Sequence, residues 1–257
     1  MKIALIADLH GNRPATEALE RDLARQQPDR IYCLGDIVGK GPSSDFTFDW
    51  AFANCDLILG GNWDYGVGFK RFPLDDYYWN QLGPERMEKL CQLPKEKEIT
   101  LSGRRIRLFH GRPIMTDLVI VQHDSSLIMP FFDDGRGGRY DVVAYADAHR
   151  QAVRTMTPGV FLNTGSVGNG LGIPKCCYAI LEGDDPADPT AFEIRLRQLD
   201  YDRDAAIRDA EAAPAVPRID TFIRELKTGL YSRQGEYPWT PDCAPGARRG
   251  CEAWGIS

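Results

Sequence analysis

Short apolar runs, each ending in a cluster of polar residues and glycine, recur through the first 150 positions and constrain this chain more than any other feature. Ile3-Ala4-Leu5-Ile6-Ala7 runs into Asp8-Leu9-His10-Gly11-Asn12, Ile31-Tyr32-Cys33-Leu34 into Gly35-Asp36, and Asp56-Leu57-Ile58-Leu59 into Gly60-Gly61-Asn62. Runs of this length, bounded by turn residues, suit buried strands. Positions 14–26 carry helical spacing with Pro14 in the first turn, so the opening reads as β-α-β. Strands of an open α/β sheet deliver their C-terminal loops to one crevice. The polar clusters are therefore expected to converge, together with His110-Gly111 after Arg105-Ile106-Arg107-Leu108-Phe109 and Asp147-Ala148-His149 after Tyr140-Asp141-Val142-Val143-Ala144-Tyr145.

The pattern changes downstream. Positions 45–53 and 84–91 read as further helices, and 98–101 with 105–109 as a hairpin around Ser102-Gly103. Strands recur at 142–145, 160–163, 177–181 and 192–199. Parallel, helix-flanked strands that give way to a mostly β second half fit an α/β chain with two packed sheets and outer helices. With 257 residues, one main domain is expected over 1–200. Positions 201–257 read as an appendage, with helical patterns at 203–212 and 219–230 and then a tail rich in Pro, Gly and Arg. Cys243 and Cys251 have no companions for a zinc site, so the tail reads as surface-packed or frayed.

Composition narrows the partners. A net charge of −6 and an isoelectric point near 5.3 exclude a surface devoted to extended nucleic acid or an acidic membrane, while leaving room for a local phosphate pocket. No stretch approaches the roughly 20 apolar residues of a membrane span, and Met1-Lys2-Ile3 leads straight into a strand without a signal-peptide pattern. A cytoplasmic protein is expected, with its seven cysteines reduced.

Asp8, His10, Asp36, Asn62, His110, Asp147 and His149 together offer seven oxygen or nitrogen donors, enough for two divalent ions. An Asp36 carboxylate shared by both would set them about 3.5–4 Å apart, the spacing that clamps the attacking and leaving oxygens of a phosphoryl displacement. A bridging hydroxide would then be the nucleophile. Mixed N/O donors favour Mn²⁺ or Fe, with Zn²⁺ possible and Mg²⁺ disfavoured.

The ordered set D-x-H, G-D, G-N-x-D, H-G and x-x-H over roughly 1–199 resembles the calcineurin-like metallophosphoesterase family. With Asn163-Thr164-Gly165-Ser166-Val167-Gly168, it is most similar to the small bacterial and archaeal phosphodiesterase branch with diadenosine tetraphosphatase-like members. The resemblance implies a β-sandwich of two mixed sheets flanked by helices. It implies Asp8, His10, Asp36 and His149 around one metal, and Asp36, Asn62, His110 and position 147 around the other. Two positions depart from it. Trp63 stands where the family commonly has the histidine that protonates the leaving group, and Asp147 stands where G-H-x-H would place a histidine. Losing a general acid costs about 10²–10⁴-fold, least for an anhydride or phenolate that leaves unaided. The expected substrate is therefore a phosphodiester or nucleotide phosphoanhydride rather than an ordinary monoester.

Other positions admit two readings. Asn12 is placed to hydrogen-bond a substrate phosphate or to make an Asx-turn. His123, the one histidine outside the ligand set, either replaces the missing acid or sits at an exposed helix start. The aromatic positions Trp63, Tyr65, Phe69, Phe72, Tyr77, Tyr78 and Trp79 form either a nucleobase wall or ordinary packing. Gly135-Arg136-Gly137-Gly138-Arg139 is either a polyphosphate loop or a solvated turn. The leading function is a dinuclear phosphoesterase; a phosphomonoesterase, a protein phosphatase and a degenerate nucleotide-binding or scaffolding module are the alternatives.

Overall fold

A computed structural model of the chain describes residues 1–72, 76–184 and 191–233. The chain opens with β1 (Lys2–Ile6), α1 (Arg13–Gln26), β2 (Arg30–Cys33), α2 (Ser44–Asn54), β3 (Leu57–Ile58), α3 (Asn62–Gly68) and α4 (Asp76–Cys91). The hairpin β4 (Glu96–Leu101) and β5 (Arg104–Phe109) follows, turning through Ser102 and Gly103 at φ 47° and 68°. After the short α5 (Ser125–Ile128) come β6 (Val142–Tyr145), β7 (Ala152–Thr155), β8 (Val160–Asn163), β9 (Cys176–Gly183) and β10 (Phe192–Leu199). The described chain closes with α6 (Arg203–Glu211) and α7 (Ile219–Thr228).

These strands form two mixed five-stranded sheets, ordered β10-β9-β1-β2-β3 and β4-β5-β6-β8-β7. The β1-β2-β3 and β5-β6-β8 trios are parallel, and antiparallel strands complete each sheet. Alternation along β1 explains the layering, because successive side chains of a strand point to opposite faces. Ile3 and Leu5 join Ile106, Leu108, Val142, Ala144 and Leu162 in a core between the sheets. Ala4 and Ile6 face outward into a second core with Leu19, Phe48, Trp63 and Tyr78 of the helices. Phe109, Val143, Tyr145 and Phe161 cover the outer face of the other sheet beneath the 114–132 loop. Two sheets between outer layers is the architecture the sequence pattern led us to expect.

Three features went unread in the sequence. β7 alternates half-buried and exposed residues without an apolar run, α3 carries two glycines, and α4 starts well before position 84 because a helical turn at Asp76 meets the Pro84 helix across Gly83 at φ 71°. α6 and α7 share a small core of Ala206, Ala210, Phe222 and Leu226, while Val216, Tyr201 and Ile219 tie them to the main helical core. Trp63, Phe72 and Tyr78 are buried packing residues, and only Phe69 of the aromatic set is largely exposed. The glycine-arginine loop is a turn around Asp134, which accepts backbone N–H bonds from Arg136 and Gly138 and pairs with Arg105. Cys243 and Cys251 lie outside the described residues. No helix among the described residues is long and apolar enough to cross a membrane.

Candidate metal centre

The strand-end clusters do converge. Asp8 and His10 follow β1, Asp36 follows β2, Asn62 opens α3 beyond β3, His110 follows β5 and His149 follows β6. All six are buried to within a few per cent. Asp8, His10, Asp36 and His149 hold left-handed backbone conformations at φ 47–56°, each unusual for a residue with a side chain. Strain of this kind costs of order 1–3 kcal/mol per residue and persists where the surroundings over-determine it. Here they do: Asp8 N–H donates to Gly35 O at 2.9 Å, Gly168 N–H donates to Asp8 O at 2.8 Å, and Ser166 Oγ donates to the same oxygen at 3.0 Å.

The imidazoles are aimed by one repeated device. Nδ1 of His10 meets Val38 O at 3.2 Å, Nδ1 of His110 meets Leu34 O at 3.0 Å and Nδ1 of His149 meets Asn169 O at 2.7 Å. A carbonyl can only accept, so Nδ1 carries a proton on each ring and Nε2 is the nitrogen turned inward, the atom a metal ligand needs. Nε2 of His10 and His149 stand 3.2 Å apart. Asp8 Oδ1 lies 3.7 Å from His10 Nε2, 3.4 Å from His149 Nε2 and 3.8 Å from His110 Nε2. Asp36 Oδ2 lies 3.3 Å from His110 Nε2 and 3.6 Å from His10 Nε2, while its Oδ1 accepts the Trp63 N–H at 2.8 Å.

Two overlapping ligand groups result, Asp8-His10-His149 and Asp8-Asp36-His110. Whether they fit divalent ions can be read from their unmet bonding. Both carboxylate oxygens of Asp8, both amide atoms of Asn62 and Nε2 of His110 are buried without a hydrogen-bond partner among the described residues. Polar atoms left this way are costly, and carboxylate and imidazole atoms within 4.8 Å of one another suit a cation. Burial and the nearby Asp36 charge push Asp8 well above the usual carboxylate range. Burial and the Lys40 ammonium push His10 and His149 well below the ordinary imidazole value. Burial would lower His110 too, but Asp36 and Asp8 outweigh it and raise it to about 10.

Three of the expected residues are engaged by other groups. Asp147 is buried and adjacent, but Arg112 occupies it: Nε reaches Oδ2 at 2.8 Å, Nη2 reaches Oδ1 at 2.5 Å, and the backbone N–H adds a bond at 3.1 Å. Arg112 outweighs the effect of burial and holds the Asp147 carboxyl below its usual range. Asn12 caps α1, with Oδ1 accepting the Ala15 N–H at 3.2 Å and Nδ2 donating to Gly168 O at 2.7 Å. His123 turns its Nδ1 onto the N–H of Ile120 at 3.3 Å and contacts none of the ligands in the described hydrogen bonds.

Sequence reasoning missed several supporting residues. Asp64 accepts N–H bonds from Asp36 at 2.7 Å, Ile37 at 3.0 Å and Gly61 at 2.9 Å, tying the second and third clusters together. Burial and Asp36 raise its carboxyl to about 7. Its signal was present in the Asn62-x-Asp64 spacing. Gly61 must be glycine, since a Cβ there would lie 2.1 Å from Asp36 Oδ1. Lys40 is 5 % exposed and sits at φ 58°, with Nζ 3.2 Å from His149 Nε2 and 3.1 Å from Asn169 Oδ1.

A family model described as the calcineurin-like phosphoesterase superfamily domain matches residues 1–185. The chain belongs to this superfamily. It is 28 % identical over 234 residues to the uncharacterized protein MJ0912 of Methanocaldococcus jannaschii, covering 78 % of this chain and 88 % of that one. Its fold is similar to a metallophosphoesterase from Sphaerobacter thermophilus, with TM-score 0.66 and 22 % identity over 90 % of this chain and all of the other. It is also similar to the hypothetical protein PH1004 of Pyrococcus horikoshii OT3, with TM-score 0.72 and 17 % identity over 90 % and 99 % of the two chains. Membership supports a metal-dependent phosphoester hydrolase, and the buried carboxylates and imidazoles supply its candidate ligands.

Proposed function

We propose that this phosphoesterase uses two divalent ions to hydrolyse a phosphodiester or a nucleotide phosphoanhydride, with diadenosine tetraphosphate as the first nucleotide to test. The observation that carries the reading is the pair of ligand groups sharing Asp8, with Asp36 Oδ2 facing histidines of both. Asp8, His10, Asp36 and His149 would hold one ion, and Asp36, Asn62 and His110 the other, with Asp8 within reach of both. Mn²⁺ or Fe is favoured by the mixed N/O donors. Ions held there supply Lewis-acid charge to the phosphoryl group and lower the pKa of a coordinated water.

The chain's own residues do the rest. The backbone carbonyls behind His10, His110 and His149 fix the imidazoles before substrate arrives, so little reorganisation is needed. Asp64 holds the backbone at Asp36, and Asp147 holds the Arg112 guanidinium beside His110. Trp63 presents an indole edge-on to His10 at 5.8 Å between ring centres, and an indole is no acid for an alkoxide leaving group. This supports substrates whose leaving group departs without help, an anhydride or an activated diester.

The test is hydrolysis of bis-p-nitrophenyl phosphate, p-nitrophenyl phosphate and diadenosine tetraphosphate with Mn²⁺ or with chelator. Diester or anhydride turnover that chelation removes and Asp36→Ala lowers by about 10³-fold or more, with the fold intact, is expected. Retained turnover in folded Asp36→Ala, or preference for the monoester, would overturn the proposal.

A further inference from the structure

The end of the described chain returns to the metal centre. α7 stops at Gly229, whose carbonyl accepts the Gly172 N–H at 2.7 Å, and Ser232 ties the following turn to α7 through Glu225 Oε1 at 3.1 Å. Arg233 comes next and is 2 % exposed. Its Nε, Nη1 and Nη2 have no hydrogen-bond partner among the described residues. Glu225 Oε2 lies 3.6 Å from Nε, close enough for ion pairing and too far for a hydrogen bond. The guanidinium carbon sits 5.6 Å from the centre of the Trp63 ring, which in turn packs against His10. Arg233 is therefore one indole away from a candidate ligand.

Lys40 stands on the same side of the site. Its neighbour Gly39 lies against the Trp63 ring, where a Cβ would come within 2.2 Å of Cε3, and Arg233 faces the same ring, so both cations adjoin one indole. Glu225 Oε2 is the carboxylate oxygen that pairs with Arg233, while Lys40 Nζ donates to His149 Nε2 and Asn169 Oδ1 rather than to a carboxylate. A buried guanidinium with three unbonded nitrogens is costly to maintain unless an acceptor reaches it. Its fork matches the paired oxygens of a phosphate, and the lysine adds a point charge beside the metal ligands.

We propose that Lys40 and Arg233 form an anion subsite that holds a non-reacting phosphate of a substrate carrying more than one phosphate. Residues 229–233 thereby belong to the specificity machinery of the enzyme rather than to an accessory tail. The substrate class rests on the phosphoesterase reading above, whereas the subsite rests on the buried cations alone. It favours the anhydride among the substrates considered, because a simple diester has no second phosphate to place there.

The test has two arms. In the first, inorganic pyrophosphate is titrated calorimetrically into the chelator-treated full chain at pH 6.5, using wild type, Arg233→Ala, Arg233→Lys and Lys40→Met, each checked for folding by circular dichroism. Loss of charge-assisted bonds predicts affinity about ten- to a hundredfold weaker in Arg233→Ala, weaker in Lys40→Met, and partly restored in Arg233→Lys. Equal affinity in wild type and the folded variants would overturn the subsite. Should Arg233→Ala not fold, Arg233→Lys and Lys40→Met decide the same question. In the second arm, Mn²⁺-dependent kcat/KM for diadenosine tetraphosphate should fall at least tenfold further in Arg233→Ala than kcat/KM for bis-p-nitrophenyl phosphate. Equal losses on both substrates would overturn the specificity role. Failure of wild type to hydrolyse either one would instead overturn the phosphoesterase reading, and the calorimetry would still decide the subsite.

Discussion

The two ligand groups share Asp8 yet sit in opposite electrostatic surroundings. On one side His10 and His149 are held neutral by burial and by the Lys40 ammonium, 3.2 Å from His149 Nε2. On the other side His110 faces Asp36 and Asp8, which raise it to about 10 against the effect of burial. A cation entering the first group meets neutral imidazoles and a repelling lysine that donates to His149 Nε2. A cation entering the second displaces a proton from a site already shaped for positive charge. The difference teaches that one buried cluster can be graded internally, so that its two halves differ in how they respond to pH and to loss of a neighbouring charge.

The largest expected effect comes from the residue the halves share. Asp8→Ala should abolish binding to both groups and lower metal-dependent turnover by about 10³-fold or more, whereas His149→Ala should empty only its own half; equal metal loss in the two variants would remove the distinction. Next is Arg112→Ala, which strands the buried Asp147 carboxylate beside His110. It should cost about 3–5 kcal/mol by denaturant unfolding, and Asp147→Asn in the same background should recover part of that.

Acidity separates the halves more finely. Because His110 is protonated below about 10, metal entering its group releases that proton, and affinity there should rise with pH by up to about tenfold per unit through neutrality. His10 and His149 are already neutral and release no proton, so in a variant reduced to their group, His110→Ala, the remaining pH dependence should come from the buried Asp8 carboxyl and be shallower than that of the second group. The sign for stability is opposite. A raised imidazole stabilises the metal-free fold fully below its ordinary value of 6.5 and loses that contribution as pH climbs towards about 10. Thermal melts of chelated protein across that window check it. The smallest effect is for Lys40→Met: relief of repulsion should tighten Mn²⁺ binding at the His10–His149 group several-fold, with no tightening at the other.

Much of this site was legible because its chemistry is concentrated in short motifs at strand ends. Asp8-x-His10, Gly35-Asp36 and Gly61-Asn62 sit where the periodicity already required a turn, so residue type and position pointed the same way. The sandwich was legible for a related reason, since the strands of both sheets are marked by compact apolar runs. What could not be read depends on pairing between distant segments. Residue type alone did not show that Arg112, 35 positions earlier, engages both oxygens of Asp147. Asn12 has the residue type for phosphate contact, but Gly168 O, 156 positions away, takes its amide. Lys40 carries the sign of charge a metal site should avoid, and Arg233 follows an amphipathic helix with no motif around it. Only the fold shows that both are buried, Lys40 against His149 and Arg233 against the Trp63 ring that meets His10.

Equilibrium dialysis of the full chain against Mn²⁺, with metal analysis of wild type, His149→Ala and Asp8→Ala, is the most direct measurement. Two ions per chain in wild type, one in His149→Ala and almost none in Asp8→Ala are expected. Less than one ion in folded wild type, or occupancy unchanged by Asp8→Ala, would contradict a metal centre built on the carboxylate that both groups share.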